Sequence, residues 1–305
     1  LPFPLIYAED RGVSASLFAS ELSNVDNASV NNLRILSSFL NGVLPENVSD
    51  LRDAKDIPSR IIYDAYLVEN ANWDEMRKRH AKDKSSLFSA FRIWSSIATN
   101  YKTDTFKFID GLETADSWKN FVRGQIYAHL GKIDKAIEYF NSVDIAFLNI
   151  NDYRYLMSFY THENRDDLTD KLRTDFTATP GGMFMVSYND IPDWSEYDGI
   201  QNQMAFSLLQ TVSHTKVMMY SDLSLVMLRF AQIIAPESNK DAISFYIGQF
   251  LTQRNNNSKA FSDISQDSPF YPFVMINTVK SDVDIKHLKE LLKQNPVFVP
   301  ALQKV

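Results

Sequence analysis

An all-α fold built from antiparallel helix pairs is what this sequence predicts, on three observations. Residues 118–143, WKNFVRGQIYAHLGKIDKAIEYFNSV, carry apolar residues at helical spacing on both sides of a tight turn. Small residues recur at one interval in distant segments, since Gly124 and Ala136 are twelve apart, as are Gly248 and Ala260. Only 9 Gly and 11 Pro occur in 305 residues, which argues against a turn-rich β fold.

Taken in order, helical periodicity begins at residues 13–22, with Ala15, Phe18, Ala19 and Leu22 on one stripe. A second helix over 30–40 ends at Asn41-Gly42, and Pro45 opens a short one through Ala54. Pro58 then precedes Ile61, Ile62, Ala65 and Tyr66, and Asn72 is placed to cap a helix starting at Trp73. Residues 85–98 bring Leu87, Ala90, Phe91, Trp94 and Ile97, a strong apolar face that residues 103–112 answer. In residues 118–143, Phe121, Gly124, Tyr127 and Ala128 share the face of a first helix, and Ala136, Ile137 and Phe140 form the stripe of a second. Gly131 stands where the chain must reverse, a position suited to positive φ. Looser helical patterns follow over 152–159 and 166–176.

The pattern breaks at 177–193, which holds Pro180-Gly181-Gly182, Tyr188-Asn189-Asp190 and Pro192. This predicts three parts: a helical block over 1–176, a connecting loop over 177–193, and a second block over 194–305. In the second block Ser224, Leu228, Ala231 and Pro236 have the spacing of a buried stripe and its closing proline, and Leu288, Leu291 and Pro296 repeat it. Residues 297–305 read as the start of an unpaired helix, so the natural protein is expected to continue beyond Val305, and the initial Leu1 fits a processed chain.

The pair at 118–143 resembles a tetratricopeptide repeat (TPR), a helix-turn-helix unit of about 34 residues. Gly124, Tyr127, Gly131, Ala136 and Phe140 match that family's pattern, and Ala90 lies one period before Gly124. The unit departs from it at Asn120, Arg123 and Val143 and lacks the closing proline. The resemblance implies a superhelical solenoid of antiparallel helix pairs, interrupted here by the Gly/Pro loop. The layout is also similar to divergent TPR proteins of alphaproteobacteria, on AEDRGVSASLFASEL over 8–22, on the helical block before the Gly181-Gly182 loop and on the segment 199–269. That likeness implies a bacterial periplasmic or cell-envelope scaffold, a cytoplasmic one being the alternative, and it implies no reaction.

Composition narrows the function. A net charge of −7 and a pI near 5.3 disfavour nucleic acid as partner, because phosphate recognition needs a clustered basic surface. The one dense basic run, residues 77–84 (RKRHAKDK), reads as a solvated helix end. There is no cysteine, hence no disulfide or thiol chemistry, and no uncharged apolar run reaches the length of a membrane span. The five histidines, among them His80 and His129, show no metal-ligand spacing, and no phosphate loop or nucleophile elbow occurs. Asp152, Glu163, Asp166, Asp167 and Asp170 cluster as carboxylates, but such clusters in helices serve as solvated faces and first-turn charges. No catalysis and no cofactor are therefore expected.

What remains is a groove for a protein or peptide partner. Carried over by position from the repeat family, its lining is Trp118, Phe121, Gln125 and His129 in the clear repeat, with Phe245, Gln249 and Gln253 in the later one. Phe followed one turn later by Gln would combine apolar contact with a hydrogen bond to a peptide backbone. Three other readings stay open: a carrier of lipid or another apolar ligand inside the superhelix, a non-catalytic region of a larger enzyme complex, and an oligomerisation module using aromatics such as Trp194 and Tyr197.

Overall fold

The computed structural model describes residues 48–179, 191–214 and 222–255, with 35–36, 38–45 and isolated positions between 261 and 289. Every regular element among the described residues is helical. The α-helices are α1 (Ile57–Glu69), α2 (Trp73–His80), α3 (Ser89–Ala98), α4 (Lys102–Asp110), α5 (Asp116–His129), α6 (Ile133–Asn141), α7 (Ile150–His162) and α8 (Asp166–Thr177). After the break come α9 (Ile200–His214), α10 (Asp222–Ile234) and α11 (Glu237–Asn255). The expected helix over 13–22, Ala260 and the pattern Leu288, Leu291, Pro296 lie outside the described residues, as does most of the loop over 177–193.

Local signals account for where the helices start. The Asp56 carboxylate accepts from the Ser59 backbone N–H at 3.0 Å, and Pro58 occupies the first turn of α1, where its missing N–H costs nothing. At α7 the Asn149 side chain accepts from the backbone of Asn151 and Asp152, while the Asp152 carboxylate accepts from the Asn149 N–H at 2.9 Å. That reciprocal pair is a capping box, and it is what the fully buried Asp152 does. Asn72 stands at the start of α2 as expected but makes no capping bond to the backbone; its amide reaches the Glu75 carboxylate at 3.4 Å.

Five reversals among the described residues use one turn. Gly42, Ala71, Asn100, Gly131 and Asn164 all have positive φ, between 50° and 79°. After α1 the Asn72 N–H bonds to the Leu67 carbonyl at 2.8 Å and the Ala71 N–H to the Val68 carbonyl at 2.9 Å. The same two bonds recur at Val43 and Gly42, at Tyr101 and Asn100, at Lys132 and Gly131, and at Arg165 and Asn164. This is the Schellman arrangement, which satisfies the last carbonyls of a helix. Two of the five positions, Gly42 and Gly131, are the glycine that sequence reasoning looks for, and both were expected as helix ends. The intervals between the turns are shorter than 34 residues and lengthen from Ala71 onward, so Ala90 and Gly124 stand at different distances from their turns.

Contacts divide the chain into two compact units: Leu1–Thr105 with Ile200–Asp263, and Phe106–Gly199 with Ile264–Val305. This grouping differs from the chain-order blocks 1–176 and 194–305 anticipated from the sequence. In the first unit, α1 packs on α2, α2 on α3, and the returning chain lays α9 against α3 and α10 against α1. The fully buried Trp94 donates its indole N–H to the Ser207 hydroxyl at 2.7 Å, and Phe91 meets Phe230 edge-on with centroids 5.1 Å apart. Ser224, Leu228 and Ala231 are all buried on α10, as their spacing predicts.

In the second unit α5 lies against α6 and α7 against α8. A Cβ added at Gly124 would stand 2.3 Å from the Phe140 ring, so the glycine is what lets the two helices close. Phe140 in turn meets Phe121 at 5.5 Å and Phe159 at 5.4 Å. Tyr197 is fully buried against Tyr155 at 4.8 Å and Trp194 is half-buried beside them. The exposed aromatic pair anticipated for an oligomerisation surface is therefore corrected: these rings are used inside the unit.

Two stability predictions follow from these contacts. Gly124→Leu should lower unfolding free energy by about 1–3 kcal/mol in urea titration, through overpacking against Phe140. Ser207→Ala should cost about 1–3 kcal/mol, because it strands the buried Trp94 N–H; an unchanged midpoint would mean that bond carries nothing.

Candidate functional site

The anticipated groove residues separate once placed. In the second unit Trp118 is 8% exposed, while Phe121 and Gln125 are completely buried. Phe121 is wedged between Phe140 and Tyr155, at 5.5 and 5.6 Å. Neither atom of the Gln125 amide has a hydrogen-bond partner in the protein. His129 is half-buried and closes α5. In the first unit Phe245 is 7% exposed and packs near Phe261 at 5.9 Å, and Gln249 is half-buried. Gln253 lies on α11, its side chain outside the description. Phe121 and Gln125 are thus corrected from groove lining to core, because the face of α5 that carries them is covered, with Phe121 packed on Phe140 and Tyr155. The Phe-x-x-x-Gln spacing fits a groove and a core equally, so spacing alone did not separate them.

An accessible recess occurs elsewhere in the same unit. It lies among the end of α6, the turn Ile145–Phe147, α7 and α8, and has a volume of about 80 Å³. Phe140, Val143, Leu148, Leu156 and Leu172 supply its apolar side, and Asn141, Tyr160, Lys171 and Asp175 its polar side. Burial pushes the Tyr160 phenol far above its ordinary 10.0, so the hydroxyl stays protonated at any physiological pH. Lys171 and Asp175 flank the recess and pair with each other one turn apart on α8. The volume suits one aliphatic side chain of a partner, held by apolar contact beneath a charged rim. Sequence reasoning missed it because the segment between Asn141 and Ile150 has no periodicity to follow; the signal present was its run of apolar residues, Val143, Ile145, Ala146, Phe147 and Leu148.

The carboxylates considered for acid–base work have other occupations. Asp152 belongs to the capping box. Arg165 grips both oxygens of Asp167 at 2.9 Å, which holds that carboxyl below its ordinary value. Asp170 lies 3.4 Å from Arg173, and Asp166 is exposed in the first turn of α8. Among the described residues no group of three or more His, Cys, Asp or Glu is arranged to hold a metal ion. No described helix is long and apolar enough to cross a membrane.

The basic run over 77–84 is not simply a solvated helix end, and this reading too is corrected. Its fourth residue, His80, is 1% exposed, with Nε2 2.8 Å from Asp64 Oδ2 and Nδ1 2.7 Å from Asp83 Oδ2. Arg79 Nε donates to the other oxygen of Asp64 at 2.9 Å, and the imidazole stacks on Phe91 at 5.1 Å. With Asp64 and Asp83 as carboxylates, which only accept, both contacts are satisfied together when the ring is an imidazolium with an N–H on each side. Burial alone pulls the His80 pKa down, but the hydrogen bonds and charges of Asp64 and Asp83 outweigh it and hold it above 6.5. The bond from His80 in turn holds the Asp83 carboxyl below its ordinary 3.8.

No protein-family model, curated protein or solved structure matches this chain.

The Gln125 environment gives a direct check. Gln125→Leu should leave stability unchanged or raise it by about 1 kcal/mol, since an apolar isostere removes a buried amide without breaking any bond. A loss of more than about 1 kcal/mol on thermal or urea unfolding would assign the amide a polar role instead.

Proposed function

We propose that the chain is a non-catalytic protein-interaction module of the tetratricopeptide-like kind, which holds a segment of a partner protein on its second unit. The observation that carries this reading is the accessible recess beside Val143, Leu156 and Leu172, which joins an apolar side to a polar one that includes the Lys171–Asp175 pair. A single apolar anchor entering such a recess, with polar contacts around it, is the usual energetic centre of a protein interface. The repeated helix reversals at 42, 71, 100, 131 and 164 support the helix-pair part of the reading. The periplasmic or envelope location belongs to the same proposal and rests on the resemblance of residues 8–22, the helical block before the Gly181-Gly182 loop and residues 199–269.

The test is affinity capture with the full chain from envelope and cytosolic fractions, followed by mass spectrometry, with wild type beside Leu168→Glu. Leu168 lines the recess and is half-buried, so the substitution sets a carboxylate there with little loss of core. The reading expects a reproducible partner whose recovery falls at least about tenfold with Leu168→Glu while thermal unfolding shifts by only a few degrees, as for a substitution outside the core. Equal recovery by both proteins would remove the recess from the interface. A co-purifying apolar small molecule in place of a protein would favour the carrier reading.

A further inference from the structure

We propose that His80 is a protonation-operated clasp, in which the imidazolium ties Asp64 on α1 to Asp83 in the α2–α3 connection and loss of one proton opens the clasp at Asp83. The geometry is two-sided: Nε2 to Asp64 at 2.8 Å and Nδ1 to Asp83 at 2.7 Å. A neutral imidazole carries one N–H, so it can serve one carboxylate only, and its bare nitrogen then faces the other as acceptor against acceptor.

The surrounding charges decide which contact breaks. Asp64 is 1% exposed and also bound by Arg79 at 2.9 Å, so it keeps the remaining donor. Asp83 has a side chain 24% exposed and can turn to water. The other groups facing this site are Arg60 on α1, 3.8 Å from Asp83, and Arg92 on α3, which donates to the Asp83 carbonyl at 2.7 Å. On the far side, Arg79 lies over the Tyr63 ring, and Tyr63 donates to Glu75, which also pairs with Arg52. None of these supplies a proton to Nδ1. The proton that leaves goes to solvent on the Asp83 side, and the segment between α2 and α3, including Phe88 against His80 at 5.9 Å, loses its tie through His80 and keeps only the longer Arg60–Asp83 pair to α1.

The sign of the pH effect is set by the direction of each shift. A folded-state His80 pKa above 6.5 means that its stabilisation is complete below 6.5 and disappears as pH rises through the folded value. Asp83, held below 3.8, contributes stability above 3.8 that is lost as pH falls through its folded value. The clasp is closed between those limits and opens on the alkaline side.

The deciding experiment titrates the imidazole resonances of the full chain by NMR, together with the thermal midpoint, for wild type and Asp83→Asn. Wild-type His80 should titrate above 6.5, with the thermal midpoint falling through the same range. In Asp83→Asn the His80 midpoint should drop by about one pH unit or more, a tenfold loss of proton affinity, as expected on removing an adjacent opposite charge. The alkaline fall in thermal midpoint should flatten with it. A wild-type His80 titrating at or below 6.5, or the same midpoint in both proteins, would overturn the proposal. His80→Gln is the second variant, expected to show no alkaline fall; Asp83→Asn, at the more exposed partner, keeps the test decisive should His80→Gln fail to fold.

Discussion

The bond between Trp94 and Ser207 is the constraint on which the first unit depends. Trp94 is the largest fully buried side chain there, and its indole N–H must find an acceptor once water is excluded. The acceptor is 113 residues away, on α9. Helices α1 to α3 are short, and helices of this length do not hold themselves together in water. Their apolar faces become a core only when α9 covers α3 and α10 covers α1. Phe91 and Phe230 complete that closure one turn away from Trp94 on α3. The chain therefore needs its distant return to finish a unit that it began before residue 105.

This long-range pairing is what the sequence hides. Helical periodicity marks a face as apolar but does not say which helix will cover it, and the apolar stripe of α3 carries no label pointing to Ser207. The α5–α6 pair was legible because its determinants are local: Gly124 and Phe140 are complementary in size, and Gly131 marks the reversal. The equivalent turns at Ala71, Asn100 and Asn164 were not legible as equivalents. Asn tolerates the left-handed region and Ala does so at a cost, so Ala71 gives no sign of its φ of 50°. Burial of Phe121 and Gln125 was hidden for a related reason, since α5 shows the same spacing whether its face meets solvent or α7.

The His80 cluster shows the limit of composition as a guide to electrostatics. A run such as RKRHAKDK averages to a strongly polar segment, and averaging cannot show that one member points inward. What turns His80 in is a set of partners from elsewhere, Asp64 on α1 and the rings of Phe88 and Phe91. Buried charges of this kind are weak sources of net stability, because desolvation offsets most of the attraction. Their effect is on uniqueness: with both carboxylates aimed at one ring, α2 has one rotation and one register against α1. The same dependence on a single proton makes the tie to Asp83, in the α2–α3 connection, sensitive to pH.

In the second unit one side chain serves both the fold and the recess. Phe140 approaches α5 closely because Gly124 has no Cβ, and its ring also forms a wall of the recess beside Val143 and Leu156. A larger residue at 124 would push that ring away from α5, and the open space next to it is the recess. Phe121, Tyr155 and Phe159 surround the other sides of the ring, so little else can yield. The dimensions of the accessible recess are thus set from within, by the contact of Gly124 on α5 with Phe140 on α6. A helix pair recognisable from its glycine and its phenylalanine carries, on its reverse side, the feature that the spacing of those residues does not announce.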